Sequence, residues 1–116
     1  MIIKSLKQMP PKPVDMKGVK NAFRQVPIGK EDNSPNISFR VFTLKPGGHT
    51  PYHIHESEHI NYFISGEGAI KDESGNLHPV TAGDFSLILP NEKHQYKNMS
   101  EDKDLVFICA VMKEYE

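Results

Sequence analysis

Only one cysteine, Cys109, occurs in the 116 residues, which excludes an internal disulfide and a thiolate zinc site. Nor is there a surplus of basic charge: 14 Lys+Arg stand against 15 Asp+Glu, a formal net charge of −1. Without that surplus a run of phosphates cannot be neutralised, so nucleic acid is not expected as a partner. Long apolar runs are missing as well. The longest near the start, Met1-Ile2-Ile3, is broken at once by Lys4, so neither a signal peptide nor a membrane span is expected. Together these absences point to a soluble, cytoplasmic protein. A chain of this length buries roughly two-thirds of the surface that its unfolded form exposes. That suffices for one core and not for two domains, so residues 1–116 are read as a single domain. What the chain does have in excess is histidine, with six.

Helical periodicity is scarce, and short strand-length segments alternate with turn signals. In Ser38 to Leu44, Phe39, Val41 and Thr43 alternate with Arg40, Phe42 and Leu44, and the strand is expected to end at Pro46-Gly47-Gly48. Ile60 to Ser65 is β-branched and aromatic and stops at Gly66-Glu67-Gly68, which is read as part of a hairpin. Asp72 to Asn76 forms a polar hairpin tip, and Phe85 to Leu89 is a strand closed by Pro90-Asn91. Leu105 to Met112 is continuously apolar, the pattern of a strand covered on both faces. Pro10, Pro11 and Pro13 oppose regular structure near the start, while Ala22 to Ile28 reads as a further strand. Such spacing favours an all-β sandwich or barrel over a βαβ fold.

Four histidines are placed where strand geometry can gather them. His53 and His55 are two apart and would share one face of a strand. His59 follows Glu56-Ser57-Glu58, long enough for a tight turn, and His94 follows the Pro90-Asn91 turn. Neutral imidazoles in one pocket gain much by binding a divalent metal; without one they would share too few hydrogen-bond partners.

The spacing resembles the two signature motifs of the cupin family. Gly47 is followed after five residues by His53-Ile54-His55, after three more by His59, and after six more by Gly66. The family places glutamate where His59 stands. In the second motif Gly83 is followed after five residues by Leu89-Pro90-Asn91, then by His94 and Asn98. Leucine replaces the motif's proline, and asparagine replaces a glycine whose left-handed backbone it tolerates better than most residues do. Each motif occurs once, at 47–66 and 83–98. The resemblance implies a cupin-type double-stranded β-helix, or jelly-roll, barrel in which His53, His55, His59 and His94 hold one metal.

Two rival assignments overlap these residues. Glu58 could replace His59 as ligand, but it misses both family spacings and has the wrong parity to share a strand face with Asn61 and Phe63. His55-Glu56-Ser57-Glu58-His59 also matches the H-E-x-x-H zinc-protease signature, with Pro51 and Gly66 as helix boundaries. A helix would leave His53 and His94 without a role, and Ile60 to Ile64 has the bias of a strand. His49 and His78 lie outside the motifs and are not expected to bind metal.

Four imidazoles leave two positions of an octahedron for water, substrate or O₂. Such a donor set suits Mn(II), Fe(II), Co(II), Ni(II) or Cu(II), with Zn also possible. Affinity alone favours copper, whereas availability favours manganese or iron. Imidazole in place of carboxylate makes the site one unit more positive, which disfavours the 3+ state and favours Lewis-acid chemistry. The resemblance extends to dioxygenases, isomerases, decarboxylases and members with no known reaction. The leading expectation is a Mn(II)- or Fe(II)-dependent dioxygenase-type oxidoreductase acting on a small organic substrate. The alternatives are a non-catalytic metal or small-molecule binding cupin and a cupin isomerase or lyase. No general base is evident. Asn61 and Phe63 follow His59 on its side of the sheet, and Phe107 and Cys109 would roof the metal if their face points inward. Cys109 has no neighbouring cation in sequence and reads as a small hydrophobe. The resemblance also implies a homodimer, paired through a sheet face that includes Leu105–Met112.

Overall fold

Nine strands follow one another along the chain: β1 (Lys12–Pro13), β2 (Lys20–Ile28), β3 (Ile37–His49), β4 (His59–Ser65), β5 (Glu67–Lys71), β6 (Leu77–Thr81), β7 (Phe85–Ile88), β8 (Gln95–Asn98) and β9 (Leu105–Met112). The computed structural model describes residues 1–116. Its helical content is limited to single 3₁₀ turns at Leu6–Gln8, Lys30–Asp32 and Lys113–Tyr115. No helix is long and apolar enough to cross a membrane.

β3 organises the sheet. It pairs antiparallel with β9 from Ile37 opposite Met112 to Leu44 opposite Leu105, and with β2 on its other side. The main strand order is β6-β5-β8-β3-β9-β4-β7, every pairing antiparallel, and the sheet curls into a jelly-roll barrel. The expected stop at Pro46-Gly47-Gly48 does not occur: β3 continues through these residues to His49, which faces Lys97 of β8. Gly47 takes a left-handed φ of 73° there, so the segment bends without leaving the sheet.

Gly66 separates β4 from β5, but the two strands are not a hairpin. β4 pairs with β7 and β9, whereas β5 pairs with β6 and β8. Gly66 has φ 92°, and a Cβ there would lie 2.2 Å from the Asp104 carbonyl oxygen. Only glycine fits a chain that crosses so close to the entry of β9. The tip at Asp72–Asn76 is a hairpin turn, closed by Asp72 N–H donating to Asn76 O at 2.9 Å and by Asn76 N–H donating to Asp72 Oδ1 at 2.9 Å.

The core lies between the inward faces. Leu44, Phe63, Leu105 and Phe107 are wholly buried, and the Tyr96 ring stacks on Phe107 at 4.6 Å. Burying one such side chain contributes about 1.5–3 kcal/mol. β9 differs from its expected character. Leu105, Phe107, Cys109 and Val111 are buried, while Val106, Ile108 and Ala110 are only partly covered and Met112 is exposed. Its continuous apolarity therefore reflects one core face and one outer apolar face, not two covered ones.

Candidate metal centre

The histidines are assembled by the junction of β3 with β8. Beyond the His49–Lys97 pair, Thr50 N–H donates to Tyr96 O at 3.0 Å and Tyr96 N–H donates to Thr50 Oγ1 at 2.9 Å. The ladder ends in an isolated antiparallel bridge between His53 and His94, whose N–H groups donate to each other's carbonyls at 3.1 and 3.0 Å. His53 and His55 are therefore not on a regular strand, as their spacing suggested. Their rings still meet, with centroids 4.0 Å apart. His55 is held by Asn91 N–H donating to its carbonyl at 2.6 Å, and Asn91 has φ 65°, so asparagine does adopt the left-handed turn in place of glycine. No helix forms across His55–His59, which removes the zinc-protease arrangement.

The ligand-capable nitrogens of His53, His55 and His94 lie within 4.8 Å of one another. His59, the first residue of β4, falls outside that triplet, but its ring is 4.3 Å from that of His55 and 5.7 Å from that of His94. His59 is buried, whereas Glu56 and Glu58 are exposed, so no carboxylate joins the cluster. His49 instead contacts Gln95 and the Thr50 carbonyl, and His78 pairs with Asp72 at 2.7 Å on the exposed hairpin.

Two details fit the cluster to a metal. The Nε2 atoms of His59 and His94 are buried without a hydrogen-bond partner. Their other nitrogens are engaged: His94 Nδ1 lies 2.8 Å from the Glu92 carbonyl and His59 Nδ1 lies 3.5 Å from Cys109 Sγ. A carbonyl only accepts, so His94 carries its proton on Nδ1 and turns an Nε2 lone pair inward, the arrangement of a metal-ligating imidazole. Burial holds His55 down to about 4 and His59 to about 3, with neighbouring positive charges adding to the effect; His53 and His94 are lowered too, chiefly by burial. All four are thus neutral at pH 7 and available as donors.

His53, His55 and His59 open on a cavity of ≈ 210 Å³, also lined by Arg40, Phe42, Tyr96, Phe107 and Cys109. A larger groove of ≈ 640 Å³, between the N-terminal segment and β2, has no histidine in its lining. Of the four candidate pocket residues, Phe107 and Cys109 face the cavity. Asn61 and Phe63 are wholly buried but do not line it. Asn61 instead accepts from Tyr96 Oη at 2.6 Å and from Ser86 Oγ at 2.9 Å. Cys109 is not merely a small hydrophobe, because Arg40 of β3, opposite it in register, donates from Nη2 to Sγ at 3.0 Å. Sequence proximity could not show a cation arriving from another strand. A signal for Arg40 was present nonetheless, since it alternates onto the face of Phe42 and Leu44.

Comparison with known proteins agrees with the barrel fold. An L-ectoine synthase of Vibrio campbellii is 28% identical over 94 residues, covering 79% of this chain and 71% of that protein. Against other matched L-ectoine synthases of Vibrio and Aliivibrio, the chain spans 62% of their length. The fold resembles that of a predicted oxalate decarboxylase of Thermotoga maritima, with TM-score 0.82 and 26% identity over 97% of this chain and 99% of that one. It also resembles the polyketide cyclase RemF of Streptomyces resistomycificus, with TM-score 0.91 and 22% identity over 97% of this chain and 79% of that one. Residues 40–111 match the model of the cupin domain, and the chain belongs to the cupin family.

Proposed function

We propose that this cupin holds one divalent transition metal, Mn(II) or Fe(II), through His53, His55, His94 and His59, and acts on a small organic substrate by non-redox chemistry of the lyase or cyclase type. The observation that carries the reading is the donor set itself: imidazoles only, no carboxylate, and a buried cation beside them. When bound, the metal supplies a Lewis acid that polarises a carbonyl or hydroxyl oxygen of the substrate. The lack of anionic ligands and the nearby Arg40 charge disfavour a 3+ metal, which weighs against dioxygenase cycles that pass through that state. The similarity to a predicted oxalate decarboxylase supports the lyase reading.

The protein's own groups orient and exclude rather than shuttle protons at neutral pH. Tyr96 stays protonated because burial raises it well above its ordinary value, and burial likewise raises the Cys109 thiol. Phe42, Phe107 and Tyr96 wall the cavity and keep bulk water from the substrate. The same aromatic and sulfur lining supports a second reading, a dioxygenase that takes a small apolar substrate together with O₂. A panel of small carbonyl, enol and phenolic compounds offered to Mn- or Fe-loaded protein tests both. Loss of water or carbon dioxide, or ring closure, without oxygen uptake supports the first; stoichiometric oxygen consumption supports the second. Binding without turnover of any kind would leave a non-catalytic binding module.

A further inference from the structure

We propose that Arg40 is the anion-binding half of the histidine cavity, and that its ligand is a small carboxylate whose charged end lies on the guanidinium while an oxygen one or two carbons away reaches the histidine cluster. The inference rests on the metal-site reading for that second contact, and on Arg40 alone for the first.

Arg40 is only 8% exposed, and its Nε has no partner. Its one hydrogen bond goes to the Cys109 sulfur at 3.0 Å, a weak acceptor, and its guanidinium lies 5.1 Å from the Phe42 ring centroid. None of the ion pairs of the structure includes it. The cavity lining also holds Glu116, whose Oε2 accepts from Lys30 N–H at 2.8 Å and Ser38 Oγ at 2.5 Å, and Arg24, which donates to the Glu116 main-chain oxygen at 3.2 Å. Glu116 forms no ion pair with Arg40. A buried cation without a counter-charge is costly and persists where a ligand supplies the charge. With a divalent metal on neutral imidazoles, the inner end of the cavity would hold positive charge with no carboxylate paired to Arg40.

Size and shape narrow the ligand. At ≈ 210 Å³ the cavity is below the roughly 300–1,000 Å³ of drug-sized sites, so the ligand has few heavy atoms. The planar fork of guanidinium donors suits a planar carboxylate better than a tetrahedral dianion. A single sulfur separates the guanidinium from the His59 ring, so both ends of a short acid can be met at once.

The test is calorimetric titration of malonate, its neutral analogue malonamide, and inorganic phosphate into wild type and R40Q, each Mn(II)-loaded and chelator-stripped. Malonate is expected to bind wild type and to weaken about tenfold or more in R40Q, with malonamide weak on both and Mn(II) stoichiometry unchanged. Equal malonate affinity in the two proteins, or no malonate binding to wild type, overturns the proposal; tighter binding of phosphate than of malonate overturns the carboxylate assignment. R40M separates ligand binding from structural support: without ligand it should melt at or above wild type, because an unpaired buried charge is gone. Marked destabilisation of R40M would make Arg40 a structural prop and defeat the idea. If R40Q does not fold, R40K serves, retaining the charge but losing the fork, with intermediate malonate affinity expected and wild-type affinity counting against the fork. Failure of wild type to take up Mn(II) would sink the metal reading alone, because the stripped proteins still decide the role of Arg40.

Discussion

The sulfur of Cys109 lies 3.5 Å from Nδ1 of His59, on the opposite side of the imidazole from the unpartnered Nε2. Arg40 donates to the same sulfur, so one atom joins Arg40 and His59 in an Arg40–Cys109–His59 chain. In the tautomer that places the proton on Nδ1, toward the sulfur, the Nε2 lone pair is free to bind metal. Cys109→Ala removes the acceptor and is expected to weaken Mn(II) or Co(II) binding about 10–100-fold, the usual effect of losing a group that orients a ligand. Cys109→Ser, which keeps an acceptor, should lose less. Competition against a chromophoric chelator measures both, and wild-type affinity in the alanine variant would remove the orienting role.

His53→Ala, His55→Ala, His59→Ala and His94→Ala should each lower bound metal at a fixed free concentration, while Glu58→Ala, His49→Ala and His78→Ala should not. His59 is the informative member, because the tight triplet is formed by the other three. Full metal affinity in His59→Ala would reduce the site to three ligands. Loss in Glu58→Ala with retention in His59→Ala would instead reassign the fourth ligand.

The lowered histidines make the metal-free protein acid-sensitive. In the unfolded chain each imidazole titrates near its ordinary value of about 6.5, whereas the folded chain holds His55 at about 4 and His59 at about 3. Between those values the unfolded state binds more protons than the folded one. Stability from this source is therefore complete above about pH 6.5 and falls steadily as the pH drops toward 3. Denaturant unfolding of chelator-stripped protein at pH 7.5 and pH 5 should show the lower midpoint at pH 5. His55→Asn and His59→Asn should flatten the difference, and an unchanged slope in both would place the acid sensitivity elsewhere.

Much of the barrel was legible because its strands alternate and its turns are marked by Gly, Pro and Asn. β2, β4, β7 and the β5–β6 hairpin follow from those signals. Pairing between distant strands left no local trace, so the separation of β5 from β4 at Gly66 and the run of β3 through Gly47-Gly48 had to come from the structure. In the site, family spacing singled out the four histidines. What actually joins His53 to His94 is a two-bond backbone bridge at the end of the β3–β8 ladder. The role of Arg40 is not legible in the sequence for a physical reason. Its alternation placed it inward, but a charged residue on an apolar face has meaning only when the absence of any counter-charge is visible.

The outer side of β4 and β7 presents Ile60, Tyr62, Ile64, Phe85 and Leu87 to solvent, with Phe85 74% exposed. Val106, Ile108 and Ala110 of β9 continue this apolar face through the β4–β9 pairing. None of these side chains is charged, and β7 ends the strand order with a free edge. A contiguous apolar face of this kind marks an association surface, and a second copy offers the same face about a two-fold axis. A homodimer is therefore expected, with a mass in light scattering about twice the 13.1 kDa of one chain. Phe85→Asp places a charge at the most exposed point of the face and should shift the species toward monomer while leaving metal binding intact, since Phe85 faces away from the cavity lining. A 13.1 kDa species in the wild type at micromolar concentration would remove the dimer; an unshifted dimer in Phe85→Asp would move its interface to another face of the barrel.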